Sequence, residues 1–239
     1  MKKQLILLFA LSAVFLLVLL LFRLRAVYFS SDSVPAEIPA PLQSAGTSFT
    51  INFDDEKAGS MPANFHAVRT GHGAPGQWVV MQDSSAPSRP NVVAQNVADP
   101  TDSRFVLLVS DEGSFKDLDL SVKFKAVSGE VDRAAGVLFR LKDANNYYLA
   151  RINALEDNYR LYRVVAGKRH TLGGANLSVN TNEWHELRVE CVGNKIICYL
   201  DGVKKIEAMD ETFRDAGKVG LWTKADSVTY FDDLRVVAK

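Results

Sequence analysis

The 239-residue chain has two cysteines, four histidines and no net formal charge, with 28 basic residues against 28 acidic ones. Each scarcity excludes something. Balanced charge argues against a polyanion binder, and no basic stripe interleaved with aromatics marks a nucleic-acid surface. His66, His72, His170 and His185 are scattered without metal-ligand spacing such as H-x-x-x-H, so a catalytic zinc site is not expected. Only His72, within Gly71-His72-Gly73, sits in a loop suited to acid–base work. There is no Gly-rich phosphate loop, no G-x-S-x-G elbow and no Cys–His nucleophile pattern. Beyond residue 26 no stretch carries a helical period, although Asp210–Asp215 is compatible with one short turn.

What is present divides the chain into three parts. Leu5 to Phe22 is an apolar run broken only by Ser12 and small alanines. That is close to the ~20 residues needed to cross the hydrocarbon core. It exceeds the usual ~7–15-residue apolar stretch of a signal peptide, and no small-x-small cleavage site or lipobox cysteine follows. Residues 1–26 are therefore expected to be a retained membrane anchor, with a cleaved signal peptide as the alternative. Lys2, Lys3 and the α-amine against Arg23 and Arg25 slightly favour an inside N-terminus. The remainder would then lie outside the cytoplasm, either held at the membrane or secreted after cleavage. Residues 27–46, rich in Pro, Ala and Ser, read as an extended linker, and residues 47–239 as the folded domain.

Within that domain, short apolar–polar alternations are separated by turn residues. Strands are expected from Ser48 (SFTINF) and over 77–82, 91–96, 104–110, 118–127, 135–142, 147–154, 159–165, 184–192, 195–200, 204–209, 218–224 and 227–237. Turn clusters at Asp143–Asn146 and Glu156–Asn158 separate some of them, and a Gly-rich turn region follows Val165. More than ten short strands without crossover helices predict an all-β antiparallel sandwich of jelly-roll type. INFDD near the start and TYFDDLRV near the end are expected to pair. A two-residue Gly193-Asn194 turn would place Cys191 opposite Ile196 and Val189 opposite Cys198. That diagonal is long for a disulfide, so two buried free thiols are expected; a one-residue slip on each strand would instead set the cysteines opposite each other.

An ordered series of short motifs resembles the concanavalin A-like lectin/glucanase superfamily, and within it the 3-keto-disaccharide hydrolase family. The series comprises Phe53-Asp54-Asp55 with Gly59 and Pro62, Gly76-Gln77-Trp78, Phe115-Lys116-Asp117 and Gly136 to Arg140 (GVLFR). It continues with Asn146-Tyr147-Tyr148, Arg151-Ile152-Asn153, Trp184-His185, Asp201-Gly202, Gly217 to Trp222 (GKVGLW) and Phe231-Asp232-Asp233. It covers nearly all of residues 48–237. The E-x-D-x-x-E strand of the glucanase branch is absent; Asp117-Leu118-Asp119 lacks both glutamates, which disfavours retaining glucanase chemistry by two carboxyls at ~5–5.5 Å. The resemblance implies sugar handling. It also implies a possible structural Ca²⁺, for which Asp54 and Asp232 are the candidate ligands on the paired terminal strands.

Strand alternation picks out one face. Tyr147, Arg151 and Asn153 share a side of their strand, Arg160 and Tyr162 join them if the hairpins keep faces matched, and Arg140 is expected on the same surface. Trp222 is weighed equally between that face and the core. Tyrosine rings stack on pyranose C–H faces while Arg and Asn hydrogen-bond vicinal hydroxyls, so the set is suited to carbohydrate. The same residues also suit a solvated face with arginines lying over tyrosines. The leading expectation is a membrane-anchored carbohydrate-binding module. A hydrolase of 3-keto-glycosides, with Arg140 or Arg151 as polarising cation and an Asp or His base, and a laminin-G-like protein-interaction domain remain alternatives.

Overall fold

The computed structural model describes residues 47–239; the expected anchor (1–26) and linker (27–46) lie outside the described residues. The chain forms strands β1 (Phe49–Ile51), β2 (Phe65–Gly71), β3 (Trp78–Gln82), β4 (Asn91–Gln95) and β5 (Arg104–Ser110). There follow β6 (Leu118–Ser128), β7 (Ala134–Asp143), β8 (Asn146–Asn153), β9 (Asn158–Val165) and β10 (Lys168–Asn176). The last are β11 (Trp184–Val192), β12 (Lys195–Leu200), β13 (Val203–Met209), β14 (Lys218–Lys224) and β15 (Val228–Ala238). They build two antiparallel sheets, ordered β13-β12-β11-β6-β15-β4-β3, with β1 also on β15, and β10-β9-β8-β7-β14-β5-β2. Among the described residues no helix is long and apolar enough to cross a membrane.

The expected pairing of the terminal strands is present, with Phe49 opposite Val236 and Ile51 opposite Leu234. The β11–β12 hairpin has the register its two-residue turn requires, Cys191 against Ile196 and Val189 against Cys198. Both thiols are free and buried. Burial pushes Cys191 up to about 11 and Cys198 up to about 12, so neither is a thiolate at neutral pH. Two strands depart from the sequence reading. β2 was not expected, and the Gly-rich region after Val165 is β10, a strand that carries Gly173 and Gly174. These are the two edges of one sheet. An edge has neighbours on one side only and needs no strict apolar alternation, so polar KRHTLGGAN pairs without announcing itself.

Core residues come from both sheets. Leu120, Val122, Phe124, Leu187 and Val189 of the eight-stranded sheet cluster with Val137, Phe139, Tyr148, Ala150 and Ile152 of the seven-stranded one. Trp78 belongs to this layer, its ring 5.9 Å from that of Phe231. The seven-stranded sheet also carries apolar residues on its other face: Leu107, Leu138, Tyr147, Leu149, Tyr162 and Trp222 form a second cluster. An antiparallel sheet with one face in a core ordinarily alternates to polar residues outward. This one does not.

Strand β7 breaks its own alternation. Its register slips between Phe139 and Asp143, and Arg140 takes a left-handed φ of 46°. The slip turns Arg140 away from the Tyr147–Arg151 face, correcting the sequence expectation. It is 1% exposed and points to the end of the sandwich. There its Nε donates to the Lys116 carbonyl (2.6 Å), Nη1 to that of Phe213 (2.8 Å), and Nη2 to that of Gly193 (2.7 Å) and to Asp117 (3.2 Å). Arg140→Met keeps the bulk and removes these donors, leaving the buried Phe213 carbonyl unpaired. We expect a loss on the order of 3 kcal/mol, read from urea unfolding. Unchanged stability would show the bonds to be dispensable.

Candidate functional site

The outer face of the seven-stranded sheet gathers most of the residues singled out from the sequence. Arg151 lies opposite Arg160, and Leu149 opposite Tyr162, so β8 and β9 keep their faces matched. Trp222 pairs with Gly136, which in turn faces Arg151. A Cβ on Gly136 would sit 2.9 Å from Leu149 Cδ1 and 3.3 Å from Trp222 Cε3, so glycine is needed to seat that ring. Trp222 is buried and stacks on Phe105 at 5.6 Å.

Arg151 is the electrostatic centre of this face. Its Nη2 donates to Tyr162 Oη at 3.0 Å and its Nη1 to Glu156 Oε2 at 2.9 Å. Burial pulls the guanidinium down, but the Tyr162 hydroxyl, Glu156 and Asp132 outweigh it and hold it above its ordinary value. Glu156 is raised by burial and lowered more strongly by Arg151 and Asn158, so its carboxyl is held below the usual range. Beside them Lys224 Nζ lies 2.5 Å from Asp102 and 2.7 Å from Asp132. Asp132 is fully buried, and that burial raises it despite Lys224 and Arg151.

The other expected residues divide by role. Asn153 shares the face but serves the β8–β9 turn: its Oδ1 accepts from the amides of Leu155 and Glu156, and its Nδ2 donates to Asp132 at 2.9 Å. Tyr147 is buried at the other end of β8, with its hydroxyl 3.0 Å from Thr70 Oγ1; burial raises it. Arg160 reaches the sheet edge, where Nη1 donates to the Ala175 carbonyl and Nη2 to Asn176 Oδ1, both at 2.8 Å. Beside it opens a hollow of about 400 Å³ lined by Arg160, Thr171, Leu172, Gly173, Gly174 and Asn176. A Cβ on Gly174 would come 2.6 Å from Arg160 Cδ, so this glycine provides the room.

Sequence reasoning missed the β10 contributors, because β10 itself was missed. Arg169 lies over both Phe105 (4.7 Å) and Tyr162 (5.3 Å). The available signal was Ala166-Gly167, both at positive φ and forming a two-residue hairpin turn after β9. His72 is exposed in its loop. His66 and His185 pair with Asp111 and Asp201 at 2.6 and 2.8 Å.

Asp54 and Asp232 are each engaged by protein donors. Asp54 accepts from the Asn91 amide at 3.0 Å, and Asp232 from the Ser88 amide (2.9 Å), Ser88 Oγ and the Asp233 amide (2.7 Å). Among the described residues no group of three or more His, Cys, Asp or Glu is placed to hold a metal. Burial raises Asp232 to about 6. A calcium ion at Asp54 and Asp232 would have to share these oxygens with, or displace, the protein donors.

The raised Asp232 has a consequence for stability. Its folded pKa lies above the unfolded value, so the folded state binds the extra proton, and stability falls as pH rises from about 4 through 6. In Asp232→Asn this component should be missing. We expect the variant's melting temperature to decline less than the wild type's between pH 4 and 7; parallel curves would contradict the assignment.

Residues 53–237 match the model of the 3-keto-alpha-glucoside-1,2-lyase-like domain. A levanase of Bacillus subtilis is 30% identical over 123 residues, 51% of this chain, but the match spans only 18% of the levanase. Among solved structures, the carbohydrate-binding module CBM66 of Bacillus subtilis aligns with a TM-score of 0.59 at 20% identity, covering 73% of this chain and 96% of the module. Domain 4 of an extracellular arabinanase from Geobacillus stearothermophilus, solved with arabinotriose, gives 0.53 at 15%, covering 80% and 92%. A Bacillus licheniformis β-glucanase gives 0.55 at 14%, covering 81% and 99%. At these identities the structures establish the shared sandwich fold, whereas the match over residues 53–237 places the chain in the 3-keto-alpha-glucoside-1,2-lyase-like (3-keto-disaccharide hydrolase) family.

Proposed function

We propose that this domain binds carbohydrate at the β9–β10 end of the seven-stranded sheet's outer face. The observation that carries the reading is the hollow beside Arg160, which opens next to the Arg151–Tyr162–Glu156 cluster. A sugar hydroxyl both donates and accepts. The guanidinium of Arg160, the Asn176 amide and the Thr171 hydroxyl offer complementary groups at one edge, and Tyr162 is the strand partner of Thr171. The aligned structures, a carbohydrate-binding module and an arabinanase domain solved with arabinotriose, support the same class of ligand. On its sequence, the Leu5–Phe22 run supplies an anchor that would hold the domain at the outer side of a membrane.

The family match brings elimination and hydration of a 3-keto-glycoside as a second reading. That chemistry needs a base and a polarising cation, and Asp132 beside Lys224 and Arg151 has the character for it. Asp132 is nonetheless fully buried and holds Asn153 and Lys224, so it does not meet a substrate at the surface. Binding is therefore the reading we adopt.

Arg160→Ala should weaken binding of arabinotriose or a levan oligosaccharide at least tenfold by calorimetry, about 1.4 kcal/mol, with little change in melting temperature. Gly174→Val should act in the same direction by displacing the Arg160 side chain. Unaltered affinity in both variants would refute this location.

A further inference from the structure

A separate hollow of about 380 Å³ lies at the end of the sandwich, lined by Lys116, Arg140, Asn194, Asp210, Glu211 and Arg214 around the Gly193 turn. It shares no lining residue with the hollow beside Arg160. We propose that it is a second carbohydrate site, which takes one neutral glycosyl residue.

The size is within the range of small-ligand pockets, roughly 300–1,000 Å³. The lining is almost wholly hydrogen-bonding side chains of both signs, and none of it is aromatic. A hydroxyl-bearing ring can donate to Asp210 and Glu211 and accept from Lys116, Arg214 and Asn194. An anion would meet the two carboxylates, and a cation would meet Lys116, Arg140 and Arg214, so a neutral polyol suits the mixture best. With no ring to stack on, the sugar would be held by its edges.

Two of the walls, Arg140 and Asp210, are fixed in advance. Arg140 ties together the carbonyls of Lys116, Phe213 and Gly193. Asp210 is held by Tyr148 Oη at 2.6 Å, the Thr212 amide at 2.8 Å and Arg163 at 2.8 Å. Glu211 accepts from Asn194 Nδ2 at 3.1 Å and pairs with Arg214. Side chains already ordered lose little entropy when a ligand arrives. Arg140, expected from sequence on the sheet face, is here a positioning residue for a different site. Two sites on one domain would raise the apparent affinity for a polysaccharide above that for a short oligosaccharide.

Amide chemical shifts of the full-length protein, titrated with arabinotriose, a levan oligosaccharide, methyl α-glucopyranoside and glucuronate, test the proposal. We expect at least one neutral probe to shift Gly193, Asn194 and Glu211 saturably. Lys116→Ala/Glu211→Ala, two exposed positions, should weaken that response tenfold or more while Gly174 and Asn176 still respond. Movement at Gly174 and Asn176 alone would overturn this site and leave the sheet-face reading standing. Movement at Gly193 and Asn194 alone would do the reverse. A response to glucuronate without one to the neutral sugars, or one unchanged in the double variant, would also overturn it.

Discussion

The buried guanidinium of Arg140 is the interaction on which the arrangement of this domain turns. An arginine at 1% exposure is tolerable only if its donors are met, and here three carbonyls and one carboxylate from separate segments meet them. Those partners come from the approach to β6, the loop before β14 and the β11–β12 turn. One side chain thus stitches the end of the seven-stranded sheet to the other sheet. The left-handed backbone at Arg140 makes this possible, because it rotates the residue out of the strand's alternation. Leu141 then joins the outer face, with Leu138 and Tyr147.

That face is the second organising feature. Its middle is aromatic and aliphatic, Arg151 and Lys224 are paired with carboxylates, and β10 at one edge is largely accessible. Arg151 shows how the parts connect: a cation buried against Tyr162 is kept charged by Glu156, and the turn that presents Glu156 is itself closed by Asn153. The edge strand β10 contributes by omission as much as by contact. Gly174 leaves space beside Arg160 that any side chain would fill.

Much of the fold was legible because central strands obey local rules. The Gly193-Asn194 turn dictates its hairpin register, and Tyr147, Leu149 and Arg151 alternate strictly with Tyr148, Ala150 and Ile152. The edges of the seven-stranded sheet were not legible, since polar β2 and β10 carry no clear alternation, whereas β3 and β13, the edges of the other sheet, were. Arg140 was misplaced for a different reason. Arginine carries no preference that announces a positive φ, so parity counting runs straight through the slip. Asn153 was placed on the right strand face, and Trp222, left open between that face and the core, lies buried on it; their partners, Asp132 and Phe105, come from elsewhere in the chain and are invisible to local spacing.

The proposed sugar site lies at the β9–β10 end of the seven-stranded sheet. The most direct test is a crystal structure of the protein grown with arabinotriose or a levan oligosaccharide. The account predicts a sugar ring in the hollow beside Gly174, within hydrogen-bonding distance of Arg160 and Asn176 and near the Tyr162 ring. A well-ordered sugar bound elsewhere, with that hollow holding solvent alone, would contradict it.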